Sequence, residues 1–451
     1  MNSISAKVAS FFGFPQSKLK KLPKSVHGIE RRLVSRNAIK VCEVLRDHGY
    51  QSFIVGGAVR DLMLGKAPKD FDVATNATPL EIKPLFRRAL IIGRRFKLVH
   101  VVFGPEIIET STFRTSGSQP EDNDGRILFD NNYGTIETDV DRRDFTINAL
   151  YYDPISETVY DFHNGIKDIK NLQIRMIGDP EKRYREDPVR MLRAIRFAGK
   201  LGAKFAPSTY EPIKRLSHLI SNVPDSRIFD ETYKLLTCGD SIYCIQQLRQ
   251  LQLDKGTLPL LEKILTLESS EKFLRIAFER TDQRVRLNKS INPSYLYATI
   301  LWPLVKSHFD NLIKENQQNV FFALQELISE VLEEQLSVLQ IQKRHLGPIR
   351  EIWIMQYRLD NMKPKSFKGI MSSPYFRAAC EFMQLRAAAN QTDSVKAQWW
   401  MDLADASEEE QKIMIDTHIK SMKNDVSSTR KPKRRKKKSN TISRNEVLQS
   451  A

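Results

Sequence analysis

The chain has 451 residues and a formal net charge of +17 at pH 7. This length predicts about three domains, and an apolar content of 41% is enough to build sizeable cores. The apolar runs are short and broken by charges, so we expect no transmembrane segment, and the N-terminus lacks the pattern of a secretory signal. The excess of positive charge indicates a polyanionic partner.

Cysteine and histidine usage argues against zinc sites and disulfide scaffolds. The four cysteines are scattered without ligand spacing, at Cys42, Cys238, Cys244 and Cys380. We expect them to be reduced thiols of a cytoplasmic protein. The eight histidines form no His-x-x-x-His or His-Asp pattern, so a histidine-based metal hydrolase is not expected.

The first 165 residues predict a basic arm followed by a small mixed α/β domain. Residues 1–30 are expected to be a loosely ordered arm. A helix is predicted over residues 35–49, with Ser35 as its cap and an apolar face. Strands are predicted over residues 53–55, 70–74, 98–103 and 107–113, and a helix over residues 79–88. We expect these elements to form a head over residues 31–165.

The rest of the chain is predicted to be helical, which makes the fold class α+β. The polar segment 116–126 is expected to be a mobile loop of the head. Apolar spacing predicts helices over residues 188–200, 228–237, 242–251, 269–284, 294–309, 320–340, 374–388 and 396–401. We divide this part into a neck, 166–245, and a body, 246–420. Residues 421–451 are predicted to be a disordered basic tail, in which residues 430–438 carry eight positive charges.

The most informative motif covers residues 53–75. A short apolar strand leads into Gly56-Gly57, whose backbone can approach a phosphate closely. Asp70 and Asp72 follow on the next predicted strand, where both carboxylates point to one side with Cα atoms roughly 6.6 Å apart. Such a pair suits Mg²⁺ ions that also hold substrate phosphates. Asp-x-Asp alone is most often a solvated turn, but the glycine turn before it favours a site of nucleotide phosphoryl transfer.

The second motif, residues 141–150, places arginines beside a carboxylate. From spacing alone, an ordinary salt-bridge network is slightly favoured. The functional alternative is an arginine fork, Arg142 and Arg143, that grips triphosphate or ribose, while Asp144 supports the metal site. Asp-x-Asp centres often need a third carboxylate to hold two metals, and the candidates are Asp144 and Glu109, which lies on a neighbouring predicted strand.

The third motif, residues 183–197, starts a helix with a carboxylate and lines one side with arginines. Asp187 is a good N-cap, and Arg190, Arg193 and Arg196 recur every three residues. Solvated surface arginines are the plain interpretation. The functional alternative is a reader of the base edge, because a carboxylate accepts from an exocyclic amino group while a guanidinium donates to the adjacent ring nitrogen. That pairing suits adenine or cytosine.

Together and in this order, the motifs resemble the nucleotidyltransferases that extend RNA 3′ ends without a template. These are the bacterial poly(A) polymerases and the related CCA-adding tRNA nucleotidyltransferases. The matching stretches are residues 55–61, 69–72, 142–149 and 185–194. The form of residues 91–109, the helical extension after residue 250 and the basic tail favour the poly(A) polymerase branch.

The resemblance implies a fold with a small α/β nucleotidyltransferase head followed by a helical neck, body and tail, and it implies a role for each motif residue. The implied nucleotide-binding residues are Gly56, Gly57, Arg60, Arg143, Asp187, Arg190, Arg193 and Arg196. The implied catalytic residues are Asp70, Asp72 and Asp144, of which Asp70 and Asp72 would hold two Mg²⁺ ions. The implied substrates are ATP and RNA 3′ ends, and RNA-decay proteins are the implied partners.

The resulting prediction is a template-independent RNA 3′-adenylyltransferase. The alternative within the family is CCA addition to tRNA, which requires CTP. The alternative from another class is an inactive RNA-binding protein with this fold. Asp70 and Asp72 argue against inactivity, because a scaffold has no use for two adjacent carboxylates that face RNA phosphates.

Overall fold

The computed structural model describes residues 19–93, 97–115, 132–268, 270–315, 320–363 and 366–428. The predicted loop 116–126 and the basic run 430–438 lie outside these residues. The chain separates into two compact units, one up to Arg350 and one from Glu351. All three sequence motifs belong to the first unit. The finer division into head, neck and body remains a prediction.

A mixed sheet of eight strands organises the described part of the first unit. Its strands are β1 (Lys20–Pro23), β2 (Ser52–Val55), β3 (Asp72–Thr75), β4 (Ala89–Ile92), β5 (Leu98–Phe103), β6 (Glu106–Thr112), β7 (Leu150–Asp153) and β8 (Thr158–Asp161). Their spatial order is β1-β8-β7-β2-β3-β6-β5-β4. Only β3 and β6 are parallel neighbours within this sheet. A separate short parallel pair joins β9 (Gln173–Ile174) to β10 (Lys204–Phe205).

Helices make up most of the remaining described chain. Those before Arg350 are α1 (Lys24–His27), α2 (Arg36–Asp47), α3 (Gly57–Met63), α4 (Pro79–Ile82), α5 (Ile136–Asp141), α6 (Gly165–Lys170), α7 (Pro180–Glu186), α8 (Val189–Leu201), α9 (Pro207–Leu216), α10 (Asp225–Leu236), α11 (Ser241–Gln250), α12 (Asp254–Thr257), α13 (Leu261–Leu265), α14 (Ser270–Arg286), α15 (Pro293–Glu315) and α16 (Val320–Val338). The chain continues with α17 (Lys343–Asn361), α18 (Phe367–Met371), α19 (Phe376–Ala388), α20 (Ser394–Asp405) and α21 (Glu408–Ser428).

Local sequence signals explain where two of the helices begin and end. Ser35 caps α2 as predicted, because its Oγ accepts hydrogen bonds from the backbone N–H groups of Asn37 and Ala38. The helix predicted over residues 79–88 is shorter. It ends as α4 at Ile82 and continues only as a 3₁₀ turn, because Pro84 has no N–H to continue the α-helical ladder.

Part of the expected N-terminal arm is ordered. β1 pairs antiparallel with β8 along its whole length and forms one edge of the sheet. In α1, His27 is only 4% exposed. Its Nδ1 accepts from the Ile29 N–H at 3.0 Å, so its Nε2 carries the proton and donates to the Glu157 carbonyl at 2.9 Å. No alternating pattern marks this strand in the sequence, because a four-residue edge strand buries too little to need one.

The centre of the sheet supports the first motif. Val73 and Ala74 of β3 are fully buried, so both faces of this strand are covered, while the side chain of Asp72 at the start of the strand is only partly covered. β3 starts at Asp72, so Asp70 precedes the strand and is exposed. The parallel pairing with β6 puts Asp72 opposite Glu109.

The second unit has an apolar core of its own. Trp400 is fully buried, and its Nε1 donates to the Leu359 carbonyl at 3.0 Å, which satisfies the one polar atom of the side chain. Phe376 is also buried, and Trp399 packs against the same cluster, so the prediction that these aromatics are core residues is confirmed. Among the described residues, no helix has the length and apolar character needed to cross a membrane.

Candidate active site

The turn between β2 and α3 depends on two glycines. Gly56 has φ +72° and ψ −132°, a conformation that is strained for any residue with a side chain. A Cβ built on Gly56 would lie 3.7 Å from Nη1 of Arg143, and one built on Gly57 would lie 3.5 Å from Nη2 of Arg60. The turn therefore presents bare backbone beside two guanidinium groups, which is a favourable environment for phosphate.

Arg60 supports this turn from a buried position. It is 2% exposed, and its Nε donates to Oδ1 of Asp61 at 2.8 Å. Its Nη1 donates to Oδ1 of Asn148, a residue of the second motif, at 2.5 Å. Asp61 also accepts from Nζ of Lys200 at 3.3 Å. These hydrogen bonds hold the Arg60 guanidinium next to Gly57.

The first motif and β6 bring carboxylates together. Asp72 pairs in register with Glu109, and Asp70 lies two residues before it. Burial and the charge of Glu109 raise the pKa of Asp72 to about 6; Asp70 adds to this effect and Arg143 opposes it. Like charges held this close favour a bound cation or a proton. The far side of Glu109 is flanked by His100, whose Nε2 lies 3.5 Å from Oε1.

The donor set fits hard divalent ions, although it is not a complete cage. In the described ranges, no group of three or more His, Cys, Asp or Glu side chains is arranged to hold a metal by itself. Mg²⁺ is usually bound through one or two carboxylates together with substrate phosphates and water. Oxygen donors at Asp70, Asp72 and Glu109 beside the glycine turn agree with that mode of binding.

Asp144 is engaged by an arginine of the third motif. It accepts from Nε and Nη2 of Arg193 at 2.8 and 2.6 Å, and also from the Phe145 N–H and Nδ2 of Asn148. Burial alone would raise the pKa of Asp144, but Arg193 and these hydrogen bonds hold it below its ordinary value. In this arrangement Asp144 joins the second motif to α8.

Arg143 is held in place by two buried groups that the sequence analysis did not single out. Its Nε donates to the Tyr151 hydroxyl at 2.7 Å, and its Nη2 donates to Oδ2 of Asp139 at 3.1 Å. Arg142 donates to the other oxygen of Asp139 at 2.6 Å. The spacing of Asp139 and Arg143, four residues apart at the end of α5, was the one sequence signal that could have revealed this pair.

The third motif runs from the end of α7 into α8. Its two proposed base-reading residues, Asp187 and Arg190, both have partners within the protein. Asp187 accepts from Nη2 of Arg227 on α10, at 3.1 and 3.0 Å to its two oxygens. It also caps the start of α8 by accepting from the Val189 N–H at 3.3 Å. Arg190 donates to Oε2 of Glu186 at 3.1 Å. Arg190 also donates to the Arg183 carbonyl at 2.8 Å, so the acceptor and the donor expected to read a base are both oriented by partners within the protein.

The other two arginines of the third motif meet a buried acid. Glu231 of α10 is 7% exposed and lies 3.3 Å from Nε of Arg196 and 3.8 Å from Nη1 of Arg193. No motif in the sequence pointed to Glu231 or to Arg227, because both lie about 40 residues downstream on a different helix. The pairs made by Arg227 and Glu231 attach the third motif to α10, while Arg193 joins it to Asp144 of the second motif.

Comparisons with known proteins find matches over most of the chain. The family model "Poly A polymerase head domain" matches residues 52–175, "Probable RNA and SrmB- binding site of polymerase A" matches 202–265, and "Polymerase A arginine-rich C-terminus" matches 316–439. The poly(A) polymerase I of Salmonella typhi is 41% identical over 407 residues, which cover 87% of this chain and 88% of that protein. The chain belongs to the poly(A) polymerase I family.

Membership of the poly(A) polymerase I family gives the enzyme class. The chain is a nucleotidyltransferase of the polynucleotide adenylyltransferase class, with a nucleotide substrate, a divalent metal requirement and RNA binding. The resemblance stated from the motifs is therefore confirmed. The motif residues lie in the part that matches the head domain and in the helices directly after it.

The CCA-adding branch shares part of the sequence and the fold. The CCA-adding enzyme of Lactobacillus helveticus is 40% identical over 199 residues, 44% of this chain and 49% of that enzyme. The Thermotoga maritima CCA-adding enzyme, solved in complex with a tRNA, superposes with a TM-score of 0.54 at 17% identity over 86% of this chain and 87% of that one. The predicted fold class, a mixed-sheet nucleotidyltransferase head with a helical remainder, is confirmed.

Proposed function

We propose that this member of the poly(A) polymerase I family transfers AMP from ATP to RNA 3′ ends at the site around Asp72. The observation that carries the proposal is the alignment of Asp72 with Glu109 beside the Gly56 turn, with Arg143 behind that turn. Carboxylates for metal ions and bare backbone for phosphates are the two parts that nucleotidyl transfer needs in one place.

The carboxylates would hold two Mg²⁺ ions. Asp70 and Asp72 are the proposed ligands, and the geometry favours Glu109 over Asp144 as the third carboxylate, because Asp144 is committed to Arg193. When bound, the ions lower the pKa of the RNA 3′-hydroxyl and neutralise charge on the departing pyrophosphate. Asp144 is proposed to act on the reaction by positioning the second motif.

The glycine turn and its arginines would orient the nucleotide. The backbone at Gly56 and Gly57 approaches the triphosphate, and the charges of Arg60 and Arg143 complement it. The 3′ oxygen of the RNA attacks the α-phosphorus of ATP, a new P–O bond forms, the bond to the β-phosphate breaks, and pyrophosphate leaves. Holding the reacting groups in line is the main contribution that these residues make.

Base selection is proposed to belong to the third motif. Asp187 would accept from the amino group of adenine and Arg190 would donate to the neighbouring ring nitrogen. Arg227 and Glu186 fix the orientation of these two side chains before the nucleotide arrives. Arg193 and Arg196 support the phosphates indirectly, since they tie α8 to Asp144 and Glu231.

The rival within the family is CCA addition, since one CCA-adding enzyme shares 199 aligned residues with this chain. The poly(A) polymerase I of Salmonella typhi is similar to 87% of this chain. This extended similarity favours the use of ATP alone. We further propose a cytoplasmic location, supported by four free cysteines, and RNA-decay proteins as partners, supported by the family model that covers residues 202–265.

An extension assay separates the two activities. A generic short RNA and a tRNA lacking its 3′ end are incubated with Mg²⁺ and each NTP, singly and mixed. Long ladders on the generic RNA with ATP alone support poly(A) synthesis. Short products that require CTP and form only on the tRNA would assign CCA addition, and extension of neither RNA would support an inactive RNA-binding protein.

A further inference from the structure

Two cysteines outside the proposed site lie side by side. Cys238 follows α10 and Cys244 lies in α11, and their Sγ atoms are 3.5 Å apart. The chain turns between them at Gly239, whose φ of +103° favours glycine. All four cysteines of the protein are free thiols, but this turn holds two of them within contact distance.

The thiol pair packs against the helix that carries the third motif. A Cβ built on Gly199 of α8 would lie 2.7 Å from Sγ of Cys244 and 3.3 Å from Sγ of Cys238. Sγ of Cys244 also lies 3.9 Å from the Ile195 carbonyl oxygen. The absence of a side chain at Gly199 is therefore what makes room for both sulfur atoms against α8.

The surroundings give the two thiols different reactivity. Cys238 is partly exposed, whereas Cys244 is fully buried. A hydrogen bond from the Cys244 thiol, helped by one from the Asp240 N–H, lowers the pKa of Cys238. The same sulfur–sulfur hydrogen bond and burial raise the pKa of Cys244. A partly exposed thiol with a lowered pKa beside a buried thiol with a raised pKa is the arrangement of an attacking and a resolving cysteine.

We propose that Cys238 and Cys244 form a modification site at which a peroxide produces an intramolecular disulfide. The Cys238 thiolate attacks one peroxide oxygen, the S–O bond forms, the O–O bond breaks and hydroxide leaves. The Cys244 sulfur then loses its proton and attacks the Cys238 sulfenic acid, which releases water. In sum, two thiols and one hydrogen peroxide give one disulfide and two waters.

The required movement is small. The sulfur atoms must approach from 3.5 Å to about 2.05 Å. Cys42 and Cys380 serve as internal controls. Both are buried, and burial raises the pKa of each thiol to about 12.

Peptide mapping of the full-length protein tests the proposal. The protein is treated with hydrogen peroxide, free thiols are alkylated, and trypsin releases residues 235–249, one peptide that contains both cysteines. We expect this peptide to become two hydrogens lighter and resistant to alkylation, and dithiothreitol to reverse the change. Cys42 and Cys380 should remain alkylatable in the same sample.

Two variants test the order of attack. In Cys244→Ser, oxidation should stop at the sulfenic acid of Cys238, which dimedone traps. In Cys238→Ser, Cys244 should give no dimedone adduct. The proposal is overturned if wild-type protein yields only sulfinic acid on Cys238, if disulfides form between molecules instead, or if Cys42 and Cys380 oxidise as fast as the pair.

Discussion

Arg193 donates two hydrogen bonds to the same oxygen of Asp144, from Nε at 2.8 Å and from Nη2 at 2.6 Å. Asp144 precedes the 3₁₀ turn that leads into β7, and Arg193 lies in the middle of α8. The ion pair therefore couples the sheet that carries Asp72 to the helix that carries the proposed base reader. Because the Asp144 side chain is only 10% exposed, loss of its partner leaves a charge in a poorly solvated position.

The first prediction concerns the stability that this pair confers. Asp144→Ala should lower the free energy of unfolding by about 3 kcal/mol, the usual cost of breaking a buried pair. Urea denaturation of Asp144→Ala, Arg193→Ala and the double variant should give a coupling free energy of about 1–3 kcal/mol. The matched control is Arg215→Ala, which breaks the exposed pair with Glu181 and should leave the urea midpoint nearly unchanged.

The same variants separate a positioning role of Asp144 from a metal-binding role. If Asp144→Ala keeps full stability in urea and yet abolishes nucleotide addition, Asp144 is a metal ligand and the preference for Glu109 is wrong. If Glu109→Gln abolishes addition at unchanged stability while Asp144→Ala mainly destabilises, the preference for Glu109 is supported.

The second prediction follows from the pKa of Asp72, which is raised from 3.8 to about 6. The folded protein then binds this proton more tightly than the unfolded chain does, so stability falls as the pH rises between these values. In EDTA at about pH 7.5, Asp72→Asn should be more stable than wild type by about 1–3 kcal/mol. Near pH 4 the difference should shrink to below about 1 kcal/mol. An equal difference at both pH values would contradict the assignment.

The third prediction is that, in Mg²⁺, wild-type protein becomes more stable than Asp72→Asn. Adding Mg²⁺ to wild-type protein without nucleotide should raise the melting temperature, since an ion that binds only the folded state stabilises it. Asp72→Asn should respond much less, because it lacks the carboxylate opposite Glu109. The same variant should lose roughly 10³-fold in nucleotide addition, given that metal stabilisation is worth several kcal/mol. A full Mg²⁺ response in Asp72→Asn would place the metal elsewhere.

The fourth prediction concerns base selection. Asp187→Ala should reduce the preference for ATP over GTP, measured as the ratio of kcat/KM values, by about 5- to 150-fold, which corresponds to 1–3 kcal/mol for a lost bidentate contact. Arg227→Ala should reduce the same ratio by a smaller factor. It removes the ion-pair partner of Asp187 but leaves the Asp187 carboxylate in place. RNA affinity should be nearly unchanged in both.

Arg215→Ala is the control for the fourth prediction, since Arg215 is an exposed arginine of α9 that donates two hydrogen bonds to Glu181. Unchanged ATP selectivity in Asp187→Ala would remove this residue from the proposed base reader. A change of equal size in Arg215→Ala would show that the effect is not specific.

The sequence could predict the parts of the site that are close along the chain. Asp70 and Asp72, the glycine turn and the arginine row of α8 depend on local spacing, and the periodicity of two and 3.6 residues located their elements. Glu109 was found as a candidate because it lies on an adjacent predicted strand. The parallel pairing that aligns it with Asp72 is a property of the sheet.

What the sequence could not predict are the partners from distant elements. Tyr151 holds Arg143, and Arg227 and Glu231 hold residues of the third motif, through contacts that arise only when β7 and α10 pack. Asp139 differs from them, because it lies only four residues before Arg143. The edge strand β1 was missed for a related reason. Its four residues have no burial pattern of their own and are defined by pairing with β8.

The last prediction concerns the basic run of residues 430–438, which carries eight positive charges in the sequence. Replacing its lysines and arginines with glutamine keeps the length and removes the charge. RNA affinity should fall, and the slope of log Kd against log salt should flatten by up to about 6 for eight lost phosphate contacts to single-stranded RNA. Because the run lies far along the chain from the motifs, kcat at saturating RNA should be unchanged. If affinity and salt slope both equal those of the wild type, the run does not contact RNA, and the +9 that remains on the rest of the chain accounts for binding.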